Sequence, residues 1–496
     1  MKEIKLAGSV PQKKIINAWE NQSEDILIDA IAGSGKTTLL MYLISICKYR
    51  VLYLAFNKSI QIETTVKLKE NGLKQGLAKT IHSLGLLALK KSGNKIVTKN
   101  SVKWDLIKIL KTKNKKFLKK YTWKEQQAIS YTLIDLHDVS RLYLTEDFKE
   151  LKKILLDMDK FCNKSKDMEL IWKKFIEVRD EHYSKKILVI DFTDMIYLPV
   201  RLNLRIPISP YYLFVDECQD LSKVQHKIVE MLISQGEVQR TVFCGDKRQT
   251  IYGFSGAYSK SISDIEERVN TKSFPLNICY RCPKAVIGAA NEVYDVMLGN
   301  KEEVGLVDVV NDIRDIKENS LVICRNTDPL IDLYLELISL DVPCVLKGED
   351  ILNGITNFLK PYSNSTVYMA SKEIGYQIED LEDDTSEEGG KKLHILKNNL
   401  KIFNKIIKIF SDEVGEISHL IVRLKSLFVV KENAVTLCTI HKSKGLEADI
   451  VYILNESKTI PSKFAKSKQQ LEQEQNLKYV ARTRAKKEMY YLDVKL

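Results

Sequence analysis

The sequence predicts an α/β chain with two parallel-sheet cores, because two sets of short apolar runs alternate with helical patterns and the first run leads into a phosphate-loop motif. The first set lies at residues 26–28, 51–54, 211–215 and 241–244, and the second at residues 320–324, 435–439 and 450–454. Each run is rich in β-branched or aromatic residues and is followed by a polar or glycine-containing turn. Buried parallel strands have this pattern, so each set is expected to form one sheet.

Two long segments interrupt these cores and are expected to be insertions. Residues 90–190 are mostly helical and charged in pattern, and residues 346–430 mix helical patterns with an acidic break at 379–390 that has the polarity of a mobile loop. The predicted domains are residues 1–90 plus 190–275 for the first core, 91–189 for its basic helical insertion, 276–345 plus 431–496 for the second core, and 346–430 for a shorter second insertion.

Composition narrows the class of protein. The 496 residues suffice for roughly three or four domains, no apolar run approaches the roughly 18 residues of a spanning helix, and the first residues lack the apolar core of a signal peptide. The 9 cysteines are scattered and mostly lie in apolar runs, as reduced thiols do. Cys279 and Cys282 form an isolated CxxC without a second ligand pair, so packing is favoured over a zinc site. We expect a cytoplasmic protein, or a nuclear or viral-factory protein in a eukaryotic host, that is neither secreted nor bound to a membrane.

The net charge of +12 permits binding to a polyanion without proving it. Between Lys90 and Lys124 lysines recur every few residues, Asp105 is the only acidic residue, and aromatic residues are interleaved. A solvated lysine-rich helical face and a strand-binding surface explain this segment equally well. The charge pattern alone leaves both alternatives open.

Residues 30–37, Ala-Ile-Ala-Gly-Ser-Gly-Lys-Thr, fit the phosphate-loop pattern except that Ala30 replaces the first glycine. The motif follows an apolar strand and precedes a helical pattern, which is the context it requires. Gly33 and Gly35 allow backbone N–H groups to surround phosphates, Lys36 supplies a positive charge to the β and γ oxygens, and Thr37 can ligate Mg²⁺. The sequence therefore predicts an ATP site here.

Two adjacent carboxylates, Asp216 and Glu217, follow the apolar run at residues 211–215. They are expected at the carboxyl end of a buried strand, where ligands of open α/β sheets bind. Asp216 can hold Mg²⁺, and Glu217 can orient or deprotonate the attacking water. An acidic pair after a strand is otherwise more often the start of a helix, but the phosphate loop favours the catalytic interpretation.

Hydrolysis also requires positive charge near the γ-phosphate, and arginines from a second domain can supply it. Arg281 and Arg484 lie in the second half of the chain and are candidates for this role. Because surface arginines are common, the bare sequence gives either of them only weak support.

The ordered series of motifs resembles the UvrD, PcrA and Rep helicases, the 3′-to-5′ branch of superfamily 1, and is most similar to the F-box DNA helicases without their F-box. The resemblance rests on the whole set in the family's order, which spans nearly the entire chain. The matching stretches are Pro11-Gln12, the phosphate loop, residues 55–58, Thr80-Ile81-His82-Ser83, Asp191-Phe192-Thr193-Asp194, residues 215–220, residues 245–257, Tyr280-Arg281, residues 439–447 and residues 479–485.

The resemblance implies two RecA-like cores, each with an insertion, and ATP with Mg²⁺ held between the cores. It implies that Gln249 senses the γ-phosphate, that Arg281 and Arg484 stabilise its charge, and that Lys36, Asp216 and Glu217 complete the catalytic set. The implied nucleotide contacts are Gln12 and Tyr280 at the adenine, Glu447 at the ribose, and Ala32, Gly33, Ser34, Gly35, Lys36, Thr37, Thr38, Arg281 and Arg484 around the phosphates. The implied DNA contacts are Phe56, Asn57, His82, Tyr252, Phe254, Thr439 and His441.

Three departures from the family pattern stand out. Ser255 occupies a position where relatives commonly have a DNA-binding arginine, and Arg482 stands where a small or apolar residue is usual. The second insertion is far shorter than in the large bacterial members. This puts any autoinhibitory or duplex-gripping role of that insertion in question.

The sequence thus predicts an ATP-hydrolysing 3′-to-5′ DNA helicase acting on single-stranded DNA and on junctions with duplex, with protein partners in repair, recombination or replication possible. One alternative is a translocase that strips proteins from DNA and unwinds weakly. Another is a nucleotide-gated DNA-binding module that does not move. RNA as the track is disfavoured because the motif set is that of the DNA-directed branch.

Overall fold

The computed structural model describes residues 4–100, 102–158, 165–251, 261–269, 272–347, 349–382, 387–410, 415–427, 432–463 and 465–495. Its internal contacts divide the chain into two compact units, each described by itself below. Unit 1 comprises Met1–Tyr280, Val296–Asn300 and Phe464–Asn476, and unit 2 comprises Arg281–Asp295, Lys301–Lys463 and Leu477–Leu496. Residues 276–280, 296–300 and 464–476 thus cluster with unit 1, whereas the predicted division assigned them to the second core.

The first half of the unit 1 core alternates strands and helices. Asn57 and Thr80 begin two of the helices by accepting hydrogen bonds from backbone N–H groups of the first turn, as N-cap residues do. The elements are α1 (Val10–Asn21), β1 (Ile26–Ala30), α2 (Lys36–Ser45), β2 (Val51–Ala55), α3 (Lys58–Glu70), β3 (Gly76–Thr80) and α4 (Ile81–Lys91).

The segment predicted to be the first insertion is mainly helical and has its own apolar core. Trp172 and Phe175 are buried in it together with leucines of the neighbouring helices. Its elements are β4 (Lys95–Thr98), α5 (Val102–Lys113), α6 (Lys115–Leu118), α7 (Trp123–Tyr143), α8 (Phe148–Asp157), α9 (Met168–Tyr183) and β5 (Ile187–Ile190), and β4 pairs in parallel with β5.

A buried ionic cluster ties this insertion to the segment that follows β5. Arg141 on α7 is fully buried, and its Nη1 lies 2.7 Å from one carboxylate oxygen of Asp191 and 2.7 Å from one of Asp194. Tyr183 also donates a hydrogen bond of 2.6 Å to Asp194. A buried charge is stable only when it is paired and hydrogen-bonded, so these contacts fix the loop that carries Phe192.

The chain then returns to the unit 1 core. The elements are α10 (Asp194–Arg201), β6 (Tyr212–Val215), α11 (Lys223–Ser234), β7 (Arg240–Gly245), α12 (Ser261–Val269), β8 (Lys272–Leu276) and β9 (Ile278–Cys279). The sheet is parallel with strand order β3-β2-β6-β7-β1-β8. Apolar residues of α1 and α2 cover one face, and those of α4, α10 and α11 cover the other. Strands buried on both faces explain the continuous apolar runs of the sequence.

Unit 2 contains the second parallel sheet. The next elements along the chain are α13 (Lys284–Asn291), β10 (Leu298–Gly299, which pairs with β9 within unit 1), β11 (Leu306–Val310), β12 (Leu321–Cys324), α14 (Thr327–Ser339) and β13 (Cys344–Leu346). They are followed by α15 (Glu349–Leu359), α16 (Val367–Glu382), α17 (Glu387–Phe410), α18 (Ile417–Leu427), β14 (Val435–Thr439), β15 (Ala448–Leu454), α19 (Glu456–Thr459), α20 (Lys468–Arg482) and β16 (Ala485–Leu492). Of α20, residues 468–476 belong to unit 1 and the remainder to unit 2. The sheet order is β11-β16-β15-β12-β14-β13, all parallel.

The predicted α/β class with two parallel-sheet cores is therefore confirmed. The expected loop at residues 379–390 is wrong at both ends, because α16 continues to Glu382 and α17 begins at Glu387, while residues 383–386 lie outside the described residues. The apolar face of α16, with Ala370, Ile374 and Ile378 buried, keeps that segment helical despite its acidic residues. No helix in the described part of the chain is long and apolar enough to cross a membrane.

Candidate nucleotide and strand-binding sites

The phosphate loop lies at the carboxyl end of β1, as its motif requires. Gly33 and Gly35 have φ values of 69° and 78°, in the left-handed region that favours glycine. The buried Ser34 hydroxyl donates a hydrogen bond of 2.8 Å to the carbonyl of Ile31, which closes the loop on itself. Backbone N–H groups at the start of α2 are thereby available to an anion.

The ammonium group of Lys36 pairs with the carboxylate of Glu217. Lys36 Nζ lies 2.9 Å from Glu217 Oε1, and the two side chains are only 14% and 16% exposed. Burial alone would lower the pKa of Lys36, but the carboxylates of Glu217 and Asp216 outweigh it and raise that pKa above its ordinary value. Lys36 is therefore charged at any physiological pH. The structure thus joins the phosphate loop and the predicted catalytic carboxylate in one site.

Asp216 is buried beside Glu217 at the end of β6. Burial raises the pKa of Asp216, the negative charge of Glu217 raises it further, and Lys36 opposes the increase. Tyr53 on β2 donates a hydrogen bond of 2.5 Å to Asp216 Oδ2, and the backbone N–H of Glu217 donates one of 2.9 Å to Oδ1. No sequence motif marks Tyr53. Its inward position on the strand next to β6, opposite Phe214 in register, is the signal that could have found it.

A chain of hydrogen bonds leads from Glu217 to Gln249. Gln219 donates from Nε2 to Glu217 Oε2 at 2.6 Å and accepts the backbone N–H of Asp246 at 3.0 Å. Gln249 in turn donates from Nε2 to Asp246 Oδ2 at 2.8 Å. A Cβ on Gly245 would lie 2.4 Å from Gln219 Oε1. Glycine at this position therefore leaves room for the Gln219 side chain to reach Asp246. Gln219 and Asp246 had not been assigned roles, although both stand inside the motifs noted in the sequence.

Gln12 and Tyr280 flank the phosphate loop within unit 1. A Cβ placed on Gly35 would lie 3.8 Å from Tyr280 Cδ2 and 3.9 Å from Gln12 Nε2. The backbone N–H of Tyr280 donates to the carbonyl of Gly33 at 2.9 Å, and Gln12 Oε1 accepts the N–H of Ser9 at 3.2 Å. Two residues far apart in sequence are thus adjacent to the loop. Thr37 is half-buried and Thr38 exposed on the first turn of α2, while Ala32 is buried in the loop.

Arg281, Glu447 and Arg484 form a second cluster, within unit 2. Arg281 Nε lies 2.7 Å from Glu447 Oε2, and its Nη1 donates to the carbonyl of Thr483 at 3.2 Å. Arg484 is buried and donates to the carbonyls of Val480 and Leu446. Burial opposes ionisation of Glu447, but Lys486 and Arg281 hold the pKa of this carboxyl below its ordinary value.

Arg482, whose role the sequence left open, is a structural residue. Its Nε and Nη2 bind the two carboxylate oxygens of Glu456 at 3.0 and 2.9 Å, and its Nη1 donates to the carbonyl of Ala289 at 2.7 Å. It also pairs with Glu292 at 2.6 Å. These contacts anchor the end of α20 to α13 and α19 within unit 2.

Three of the predicted DNA contacts line one cavity of about 550 Å³ in unit 1, namely Phe56, Asn57 and His82. Phe192 lies in the same cavity wall, is 64% exposed, and stacks on His82 with ring centroids 3.9 Å apart and planes 16° from parallel. Burial lowers the pKa of His82 to about 4, so the ring is neutral near pH 7. Phe192 was not predicted as a contact, although an exposed aromatic residue between two aspartates after a strand is a detectable signal.

Thr439 and His441 lie at the end of β14 and just after it. Thr439 Oγ1 accepts the N–H of Lys442 at 3.3 Å, and burial together with Arg325 lowers the pKa of His441 to about 4. The other predicted contacts, Tyr252 and Phe254, lie outside the described residues, as does Ser255.

Two DNA helicases are similar in sequence to part of this chain. The ATP-dependent DNA helicase Rep of Buchnera aphidicola subsp. Acyrthosiphon pisum is 26% identical over 296 residues, which are 56% of this chain and 44% of that protein. The ATP-dependent DNA helicase PcrA of Staphylococcus epidermidis is 35% identical over 112 residues, 21% of this chain and 15% of that protein. The chain thus matches less than half the length of these relatives.

A solved structure, the arterivirus nonstructural protein 10 helicase, aligns with 98% of this chain and 63% of its own, with 12% identity. Its TM-score of 0.36 carries no further argument. The family model of the UvrD/REP helicase N-terminal domain, in contrast, matches residues 11–270, which is more than half of the chain. The chain therefore belongs to the UvrD/REP helicase family.

Proposed function

We propose that this chain is an ATP-dependent DNA helicase or translocase that moves 3′-to-5′ on single-stranded DNA. The observation that carries the proposal is the buried contact of Lys36 with Glu217 beside Asp216, because it places a phosphate-binding cation against a candidate general base. The names of the Rep and PcrA relatives support the same activity.

In this proposal the residues of the site have separate roles. Lys36 exchanges its contact with Glu217 for phosphate oxygens, and Glu217 then accepts a proton from the attacking water. Gln219 keeps the Glu217 carboxylate in place and connects it to Asp246 and Gln249. Gln249 is therefore in a position to report the state of the phosphate end to the segment that follows it.

The side chains also fit a magnesium ion. Asp216 and Glu217 bring two carboxylates against one ammonium group, which leaves a negative charge in a buried site. The oxygen donors of Asp216 and Thr37 are of the kind that Mg²⁺ prefers. Magnesium would supply neutralisation of the phosphate charge during transfer.

The roles of Arg281, Arg484 and Glu447 remain a proposal that rests on the family resemblance. Their mutual contacts in unit 2 support it, because Arg281 and Arg484 both bind Thr483 and Glu447 pairs with Arg281. An arginine that is already held by neighbouring groups loses little conformational freedom when it binds a phosphate. We expect Arg281 and Arg484 to stabilise charge on the γ-phosphate and Glu447 to contact the ribose.

For the strand, we propose that Phe56, Asn57, His82 and the newly identified Phe192 contact bases or sugars. Thr439, His441, Tyr252 and Phe254 complete the set by resemblance. Exposed aromatic rings suit this task because base stacking tolerates any sequence and can be broken and remade during movement. Protein partners in repair, recombination or replication are compatible with this function.

Unwinding of tailed duplexes tests the proposal. A labelled duplex with a 3′ single-stranded tail should be separated in an ATP-dependent reaction, whereas the matched duplex with a 5′ tail should remain paired. Equal unwinding of both substrates would overturn the proposed direction. Strand binding with no nucleotide turnover would replace the proposal by a nucleotide-gated binding module.

A second candidate function is a translocase that removes proteins from DNA and unwinds weakly. The observation in its favour is the compact second insertion, whose helices α16, α17 and α18 share one apolar core with α14 and the unit 2 sheet. Displacement of a bound protein block from single-stranded DNA, compared with fork unwinding, separates the two functions. Efficient unwinding by the isolated chain would exclude this alternative.

A further inference from the structure

The outer surface of the first insertion carries an exposed aromatic pair next to lysines. Trp104 on α5 and Tyr131 on α7 are 44% and 53% exposed, and their rings meet edge to face with centroids 5.5 Å apart at 89°. On α5, Lys108 and Lys111 follow Trp104 at spacings of four and seven residues and so lie on the same helical face. We name Trp104, Lys108, Lys111 and Tyr131 the Trp104 face.

The charge around this face is positive. Within the described residues, neither Lys108 nor Lys111 forms an ion pair, and the same holds for Lys115, Lys116 and Lys119 further along. The nearest acidic neighbours are largely neutralised, since Asp105 pairs with Lys99 at 2.6 Å and Asp138 pairs with Lys103 and with Arg141, each at 2.6 Å. Asp135 follows Tyr131 by four residues on α7 and so adds a carboxylate on the same helical face.

The rings are held on a rigid support. Leu106 and Leu110 on the inner side of α5 and Leu133 on the inner side of α7 are at most 1% exposed in the apolar core of the insertion. Burying such side chains is the usual reason for an amphipathic helix, whereas leaving a tryptophan and a tyrosine together at the surface is not required for packing. An exposed aromatic pair on a fixed surface suggests a partner with flat rings.

We propose that the Trp104 face binds unpaired nucleic acid outside the cavity formed by Phe56, His82 and Phe192. Bases would stack on Trp104 and Tyr131, and phosphates would contact Lys108 and Lys111. The exposed rings favour an unpaired strand over a duplex, because only single-stranded bases offer free ring faces along their length. The exposed aromatic pair beside unpaired lysines favours a strand-binding surface over a solvated lysine-rich face in this segment. The proposal rests on the proposed function as a strand-binding protein.

Fluorescence anisotropy of the full chain tests the proposal, with labelled single strands of two lengths, one short enough to fill a single site and one long enough to reach a second. The double variant Trp104→Ala/Tyr131→Ala should bind the long strand at least about thirtyfold more weakly and the short strand with unchanged affinity. Trp104→Phe/Tyr131→Phe should retain most of the affinity, because the rings remain. Salt dependence is measured as the slope of the logarithm of the binding constant against the logarithm of the salt concentration. Replacing Lys108 and Lys111 by glutamine should make this slope for the long strand shallower by about 0.7 for each lysine.

The matched control is Tyr49→Ala/Tyr211→Ala. These tyrosines lie in unit 1, are 54% and 37% exposed, and have ring centroids 4.4 Å apart. They also have basic neighbours, Lys48 and Arg50. The control should bind both strands as the unmodified chain does. Equal loss in both double variants would contradict a specific surface.

Three further results would overturn the proposal. The first is an alanine double variant that binds the long strand with unchanged affinity. The second is an alanine double variant that loses binding to a blunt duplex but not to single strands, which would identify a duplex surface. The third is a phenylalanine double variant that folds yet binds as weakly as the alanine variant, and folding is checked by circular dichroism and the melting temperature. Because anisotropy requires no hydrolysis, failure of the ATPase proposal would be seen separately.

Discussion

Glu217 combines an unusual backbone with a defined side-chain position. Its φ of 51° lies in the left-handed region, which costs a non-glycine residue roughly 1–3 kcal/mol. The contacts with Lys36 and Gln219 hold the residue in this conformation. Strain of this kind is common at functional sites, and here it directs the carboxylate toward the phosphate loop.

Tyr53 is expected to control the pH dependence of hydrolysis. Its hydrogen bond lowers the pKa of Asp216, which burial and Glu217 raise, and Asp216 must be ionised to hold Mg²⁺. Removing the hydroxyl in Tyr53→Phe should therefore move the acidic limb of the rate profile to higher pH and raise the Mg²⁺ concentration needed for half-maximal rate. Steady-state hydrolysis measured across pH and Mg²⁺ concentration checks this.

Tyr183→Phe is the control for that variant. Tyr183 donates a comparable hydrogen bond of 2.6 Å to a buried aspartate, Asp194, away from the phosphate loop. It should alter stability without moving the acidic limb. An unshifted profile in Tyr53→Phe, or the same shift in both variants, would contradict the role assigned to Tyr53.

The sequence was sufficient to predict that Lys36 and Glu217 lie in one site, because each belongs to a local motif; their catalytic roles remain predictions. It was insufficient for Tyr53 and Gln219, because their roles depend on strand register and on a side-chain rotamer rather than on motif spacing. For Arg482 the sequence showed only a departure from the family pattern, because its contact with Glu456 depends on tertiary packing that the motif does not encode.

At the scale of elements, the strands were predicted because buried parallel strands are continuous apolar runs. β1, β2 and β7 contain all the predicted residues, and β6 begins one residue after the start of its predicted run. The helical end of α16 was not predicted. Apolar contacts of the helix overrode the preference of its acidic residues for a loop. The four-part division into cores and insertions remains a prediction, although the two sheets and the two helical insertions follow its order along the chain.

Arg482 is predicted to stabilise the packing of α20 against α13 and α19. Replacing it by methionine would leave the carboxylate of Glu456 buried without its main partner, which is expected to lower the free energy of unfolding of unit 2 by about 3 kcal/mol. The double variant Arg482→Met/Glu456→Met should recover much of this loss. Thermal or denaturant unfolding measures the effect.

Arg314→Met serves as the matched control, because Arg314 pairs with Asp312 on the surface of the same unit and is 75% exposed. It should unfold at the same temperature as the unmodified chain. A single variant of Arg482 with unchanged stability would show that the buried pair does not anchor α20.

Phe192 and His82 lead to a prediction for the cavity in unit 1. Phe192→Ala should weaken single-strand binding by about 1–3 kcal/mol, since one stacking ring is lost. Because burial lowers the pKa of His82 to about 4, its ring stays neutral above roughly pH 5, so this site should contribute no change in affinity between about pH 6 and pH 8. Anisotropy titrations over that range test both statements, and a steep loss of affinity as the pH rises through about 6.5 would indicate that His82 binds as a cation.

At the scale of the whole molecule, the net charge of +12 favours association with a polyanion, while the nucleotide site supplies the chemistry. Membership of a helicase family suggests that strand binding and nucleotide hydrolysis are coupled. The central claim is therefore that the strand changes the rate of hydrolysis at the Lys36 and Glu217 site. The proposed Trp104 face on the first insertion would increase the length of strand that the chain binds. Neither charge nor motif alone would establish coupling.

The most direct test is the rate of ATP hydrolysis with and without a single-stranded oligonucleotide, measured for the chain and for Glu217→Gln. We predict that the strand raises the rate of the unmodified chain by about tenfold or more. The Glu217→Gln variant should hydrolyse at least about a hundredfold more slowly while binding nucleotide with similar affinity, because only the proton acceptor is lost. Normal hydrolysis by Glu217→Gln, or an unmodified chain whose rate is the same with and without the strand, would contradict the account.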